Sequence, residues 1–117
     1  MMKVTTTFTI EGFRIKDYKG IVRGIVVRTP TISQGFFGGL KSIVGGQIDD
    51  YTEMCEQARS QAYELCLKHA KDRGANAIVG LRYDASDAGS AATEVLCYGT
   101  AVVVEVDDDG NSANKAL

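Results

Sequence analysis

The segment Thr93-Glu94-Val95-Leu96-Cys97-Tyr98-Gly99-Thr100-Ala101-Val102-Val103-Val104-Glu105-Val106 decides the fold. It is rich in β-branched and aromatic residues, and only Gly99 interrupts it, so it reads as one long strand. Side chains alternate between the two faces of a strand. One face carries Leu96, Tyr98, Thr100, Val102, Val104 and Val106, and the other carries Val95, Cys97, Gly99, Ala101 and Val103. Both faces are largely apolar, and such a strand requires cover on both sides. Ile21 to Arg28 repeats the pattern, with Ile21, Ile25 and Val27 opposing Val22 and Val26. Gly24 interrupts that strand and marks a bulge or a close backbone approach.

Working outward, Val4 to Ile10 reads as a strand, Glu11-Gly12 as a turn, and Phe13 to Tyr18 as a short strand or strand extension. A helix is predicted from Tyr51 to Arg73. Asp50 is its expected N-cap, with Glu53 completing a capping-box pattern. Gly74 is its natural stop, and Lys71 and Arg73 suit the last turn. Tyr51, Met54, Cys55, Ala58, Ala62, Leu65, Cys66 and His69 fall on one arc of this helix. Tyr63, Leu67 and Ala70 form a weaker flank. Ala77 to Tyr83 is a further strand, and Asp84 to Ala92 a small polar loop. The expected fold is α+β, a small antiparallel sheet packed by one long helix, in a single domain spanning residues 1–106. Residues 107–117 are acidic, then small and polar, and are expected to be a disordered tail.

One helix cannot cover such a sheet. Four strands span about 19 Å, whereas a helix is about 10–12 Å across. The second face is therefore expected to meet another copy of the chain. The alternative is that the Gly-rich excursion from Thr29 to Gly46, with Phe36-Phe37, seals it within a monomer.

The bulk composition excludes several partners. The formal net charge of the 117 residues is -2, the wrong sign for a phosphate backbone. No basic stretch interleaves the aromatic residues, so nucleic acid is not an expected partner. Nothing approaches the ~18 apolar residues of a membrane span. The start, Met1 to Thr7, lacks a signal peptide's apolar core, so a cytoplasmic location is expected. There Cys55, Cys66 and Cys97 should be free thiols.

Several stretches together resemble the YbjQ-like family of bacterial and archaeal proteins. They are Thr5-Thr6, Gly20 and Gly24, the run Phe36 to Gly46, Tyr51-Thr52-Glu53, Gly74 to Gly80, and Gly99 to Val102. The two Gly-rich runs, separated by one helix, carry most of the specificity. The resemblance spans about Val4 to Val106. It implies a dodecin-like subunit with an antiparallel sheet and a helix packed on it. It also implies ring-shaped homo-oligomers, pentamers by family habit. The family's label is heavy-metal binding, and its function is essentially unassigned.

Three kinds of site come into question. Soft metals want converging Cys and His ligands. Cys55 and Cys66 are about 16 Å apart along the helix and cannot share an ion. Cys66 and His69 share a face and could supply two ligands, with Cys97 as a third. The plainer reading is a small core thiol and a core histidine. For a small ligand or anion, Gly38-Gly39 followed by Lys41 offers backbone N–H groups and a charge. Leu40 breaks the P-loop pattern there, and close packing between subunits explains the glycines as well. No catalytic set emerges: His69 is alone, and Asp49, Asp50, Asp84 and Asp87 sit where caps and turns suffice. The sequence thus points to a homo-oligomeric scaffold or small-ligand binder. A soft metal ion is the one cofactor its residues suggest, and an enzyme with an inter-subunit pocket is the remaining alternative.

Overall fold

In a computed structural model, the structure describes residues 1–29, 46–87 and 92–107, with helix side chains described from Thr52 onward. The valine-rich segment forms strand β4, Thr93–Val106, with the expected bounds. It lies between β2, Phe13–Arg28, and β3, Ala77–Asp87, antiparallel to both. A two-residue β1, Lys3–Val4, pairs parallel to β3 at the outer edge, giving the order β1-β3-β4-β2. The sheet is therefore mixed, a correction to the antiparallel expectation. Helix α1, Gly46–Asp72, packs mainly on β2 and β4.

Other expectations are corrected too. Val4 to Ile10 is a strand only at its start; beyond it, Thr5 and Thr7 keep backbone bonds to Ile78, Gly80 and Leu81. Phe13 to Tyr18 and Ile21 to Arg28 are one strand, continued through two bulges near Lys16 and Lys19. Two inserted residues cancel, so Ile15 and Ile21 end on the same face. The predicted loop after Tyr83 is strand as far as Asp87, which places Asp84 and Asp87 within β3. The helix begins at Gly46, so Asp50 lies inside it and is not its cap. Its end matches the expectation: Gly74, at φ 82°, donates to the Lys71 carbonyl, and Ala75 donates to that of Ala70. This pairing is a Schellman motif. The Gly-rich excursion and the tail after Asp107 lie outside the described residues.

The helix buries the expected stripe turned toward its weaker flank. Ala58, Ala62, Cys66 and Ala70 are buried, and Tyr63 and Leu67 pack against them, while Leu65 is 45% exposed. The cause lies in Gly24. A Cβ there would collide with the Ala62 carbonyl oxygen and lie 2.7 Å from the Cys66 nitrogen and 2.8 Å from the Leu65 Cβ. The helix backbone rests directly on β2, so only small residues fit the contact line. They meet Val22, Ile78, Leu81, Val95, Cys97 and Ala101 on the sheet.

The far face divides in two. Ala77, Val79, Val102 and Val104 are buried under Ile10, Phe13 and Ile15 from the β1–β2 connection and the start of β2. Asn76 closes this end: its amide donates to the Val104 carbonyl at 2.9 Å and accepts from the Val104 N–H at 2.7 Å. Farther along, Arg82 of β3 reaches back to the Thr6 carbonyl and the Phe8 ring, while Ile21, Ile25 and Val27 of β2 stay exposed.

Gly24→Ala should lower stability by about 3 kcal/mol or more, because backbone atoms of α1 must retreat. Gly12→Ala, at φ 84° with nothing within 4 Å of the added Cβ, should cost only about 1 kcal/mol. Urea midpoints of the two variants measure the difference.

Candidate functional site

The chemistry-bearing side chains gather where α1 crosses the middle of the sheet. Cys97 faces the helix from β4, opposite Gly24 of β2 on one side and Tyr83 of β3 on the other. Gly24 has no side chain, so Cys66 of α1 comes down over this row. Both thiols are free and fully buried, at 0% exposure. Cys66 and Tyr83 are the side chains that act on the Cys97 sulfur. Hydrogen bonding to Cys97, reinforced by burial, pushes the Cys66 thiol well above its ordinary range. Cys97 is shifted the other way, chiefly by the donor from Cys66, with burial opposing and Tyr83 assisting. Burial is also the main cause that raises Tyr83 to about 12, so its hydroxyl stays a donor at neutral pH. The Arg59 guanidinium lies 5.9 Å from the Tyr83 ring centre.

His69 does not complete a triad with the two cysteines. Its Nδ1 accepts the backbone N–H of Arg23 at 3.1 Å, which leaves only Nε2 for any other partner. The bond closes an outward-pointing group of β2, an edge strand. Nearby the Arg73 guanidinium does the same for the Lys19 carbonyl, at 3.1 Å. His69 also lines an open cleft of about 380 Å³ between Arg23–Ile25 and Leu65–Asp72. Lys68 and Asp72 pair across its rim at 3.0 Å. Among the described residues, no group of three or more His, Cys, Asp or Glu side chains is placed to hold a metal ion.

Of the sequence-predicted site residues, Cys66 and Cys97 are brought together and His69 is directed elsewhere. Lys41, Gly38 and Gly39 lie outside the described residues. Tyr83 was missed. Its place beside Cys97 depends on a bulge between Val79 and Arg82, at Gly80 with φ 65°. An unbulged ladder would set Arg82 opposite Cys97 instead.

A second feature lies on the open half of the far face. Ile21, Ile25 and Val27 are 68%, 45% and 58% exposed, and Leu96 and Tyr98 lie beside them on β4.

Comparison with known proteins assigns the chain to a family. The YbjQ family model, described as "Putative heavy-metal-binding", matches residues 2–105. The chain belongs to the YbjQ family. A UPF0145 protein of Legionella pneumophila is 60% identical over 103 residues, covering 88% of this chain and 98% of the relative. One from Francisella tularensis is 53% identical over 105 residues, covering 88% and 99%. In structure, the YbjQ chain is similar to a DUF74-family protein of unknown function from Pediococcus pentosaceus. The TM-score is 0.62 at 22% identity, over 89% of this chain and 98% of that one. At that identity the likeness concerns the fold alone. No helix among the described residues is long and apolar enough to cross a membrane.

The Tyr83 environment has a consequence at high pH. Its folded pKa, about 12, exceeds the ordinary 10.0, so the folded state holds this proton more tightly than the unfolded chain does. The associated stability is intact below pH ~10 and is lost as the pH rises toward ~12. Denaturant midpoints measured across this window should fall more steeply for the wild type than for Tyr83→Phe.

Proposed function

We propose that the chain is the subunit of a ring-shaped homo-oligomer, a pentamer by its family resemblance, that serves as a scaffold or holds a small ligand between subunits. One observation carries the reading: the row of Ile21, Ile25 and Val27, exposed on the far face of an edge strand beside Leu96 and Tyr98. Burying what remains exposed of each of these three side chains is worth roughly 1–2 kcal/mol. Arg23 stands between Ile21 and Ile25 on this face, and Ile25 and Val27 with Leu96 and Tyr98 form the apolar part, the kind of patch that marks an interface. The edge supports the same reading. The Arg23 N–H is closed by His69 of α1 and the Lys19 carbonyl by Arg73 just beyond it, and among the described residues no such closure is seen at Ile25 or Val27. In antiparallel pairing, residues two apart share the direction of their backbone groups, so Ile25 and Val27 point outward as Arg23 does. A second copy would cover side chains and edge together.

Native mass spectrometry should give a multimer for the wild type. The double change Ile25→Asp, Val27→Asp should give a folded monomer with the wild-type far-UV spectrum. A wild-type monomer at micromolar concentration would remove the reading.

The contact between Cys66 and Cys97 favours a second reading, a soft-metal binder. Two thiolates without a third ligand suit a soft monovalent ion such as Cu(I) better than zinc, which wants four donors. His69 is not required in this version. Equilibrium dialysis under reducing conditions should show uptake of one Cu(I) per chain, abolished by Cys66→Ser and unaffected by His69→Gln. Equal uptake by wild type and Cys66→Ser would dismiss the site.

A further inference from the structure

We propose that Cys66 and Cys97 are a peroxide-oxidisable dithiol, which closes to a disulfide tying α1 to β4. This rests on neither reading above; it needs only the meeting of the two side chains. Gly24 lets the helix backbone down onto β2, and the cross-strand row Gly24–Cys97–Tyr83 presents the Cys97 sulfur to Cys66. Both thiols belong to one buried cluster, yet they are unbridged. A buried thiol is ordinarily an inert small hydrophobe. Here a second thiol lies against the first in the same buried cluster, so oxidation of either sulfur has a resolving partner at hand.

The two thiols act in turn. The Cys97 thiolate attacks one oxygen of hydrogen peroxide. The S–O bond forms, the O–O bond breaks, and the departing hydroxide takes up the proton Cys97 released and leaves as water. Cys66, losing its proton, then attacks the sulfenyl sulfur. The S–S bond forms, the S–O bond breaks, and the second hydroxide leaves with that proton as water. Two thiols and one peroxide become one disulfide and two waters. In a reducing compartment such a bond is reversible by thiol exchange, as redox-sensing disulfides are.

Tyr83, beside Cys97 on β3, is 42% exposed, and opening at this residue is the route assigned to the oxidant. A small neutral oxidant fits this route better than a bulky alkylating reagent. Cys55 is an internal control. It is half-buried, and it lies eleven residues from Cys66 on the same helix, about 16 Å along the axis.

The test uses the full reduced chain in chelator-treated buffer, which separates it from metal binding. The chain is exposed to hydrogen peroxide, quenched with acid, alkylated in denaturant and mapped by peptide mass. The expected product is lighter by two hydrogens and contains a cross-linked Cys66–Cys97 peptide, with Cys55 not cross-linked. Dithiothreitol restores both thiols. In Cys66→Ser, Cys97 should stop at the sulfenic acid and be labelled by dimedone. The proposal is overturned if wild-type Cys66 and Cys97 both remain alkylatable after peroxide, or if Cys97 proceeds to the sulfinic acid without any cross-link.

Discussion

The approach of the α1 backbone to β2 at Gly24 is the constraint on which the rest depends. A side chain at this position would meet main-chain atoms of Ala62 and Cys66, which cannot step aside as a flexible side chain would. Accepting glycine there weakens the strand intrinsically. In exchange, the helix comes close enough for a line of small residues, Ala58, Ala62, Cys66 and Ala70, to exclude water from the sheet without bulky side chains. The contact places Cys66 over Cys97. It also brings the C-terminal end of α1 to the sheet edge, where His69 and Arg73 close backbone groups of β2.

A helix seated this tightly on one side leaves the other side to different devices. At one end of the far face, the β1–β2 connection folds Ile10 over the sheet, and Phe13 and Ile15 join it. At the other end, Ile21, Ile25 and Val27 share the orientation of Ile15 because the two bulges of β2 offset one another. The exposed apolar row and the buried cluster are thus continuous parts of one surface. They differ in whether the chain's own described residues reach them.

Much of the candidate site was legible as residue types but not as geometry. Cys66 and His69 share a helix face three residues apart, which suggested a common ligand. The fold separates their roles because His69 meets an edge-strand N–H before it can meet Cys97. Tyr83 could not have been placed from the sequence. A single inserted residue between Val79 and Arg82 moves every later side chain of β3 to the opposite face, and a lone Gly80 does not announce where a bulge falls. The helix stripe was displaced for a related reason. Periodicity counts apolar residues and favours Leu65, whereas the contact at Gly24 selects for smallness.

The amino-acid sequence by itself determined the α+β class, the extent of β4, the apolarity of both its faces, and the stop of the helix at Gly74. These follow from local conformational preference and from alternation along one segment. The tertiary structure alone decided the parallel pairing of β1 with β3, the meeting of Cys66, Cys97 and Tyr83, and the division of the far face into covered and open halves. Each of those depends on register and on distance between segments far apart in the chain, quantities fixed by packing volume and bulges that no local pattern encodes.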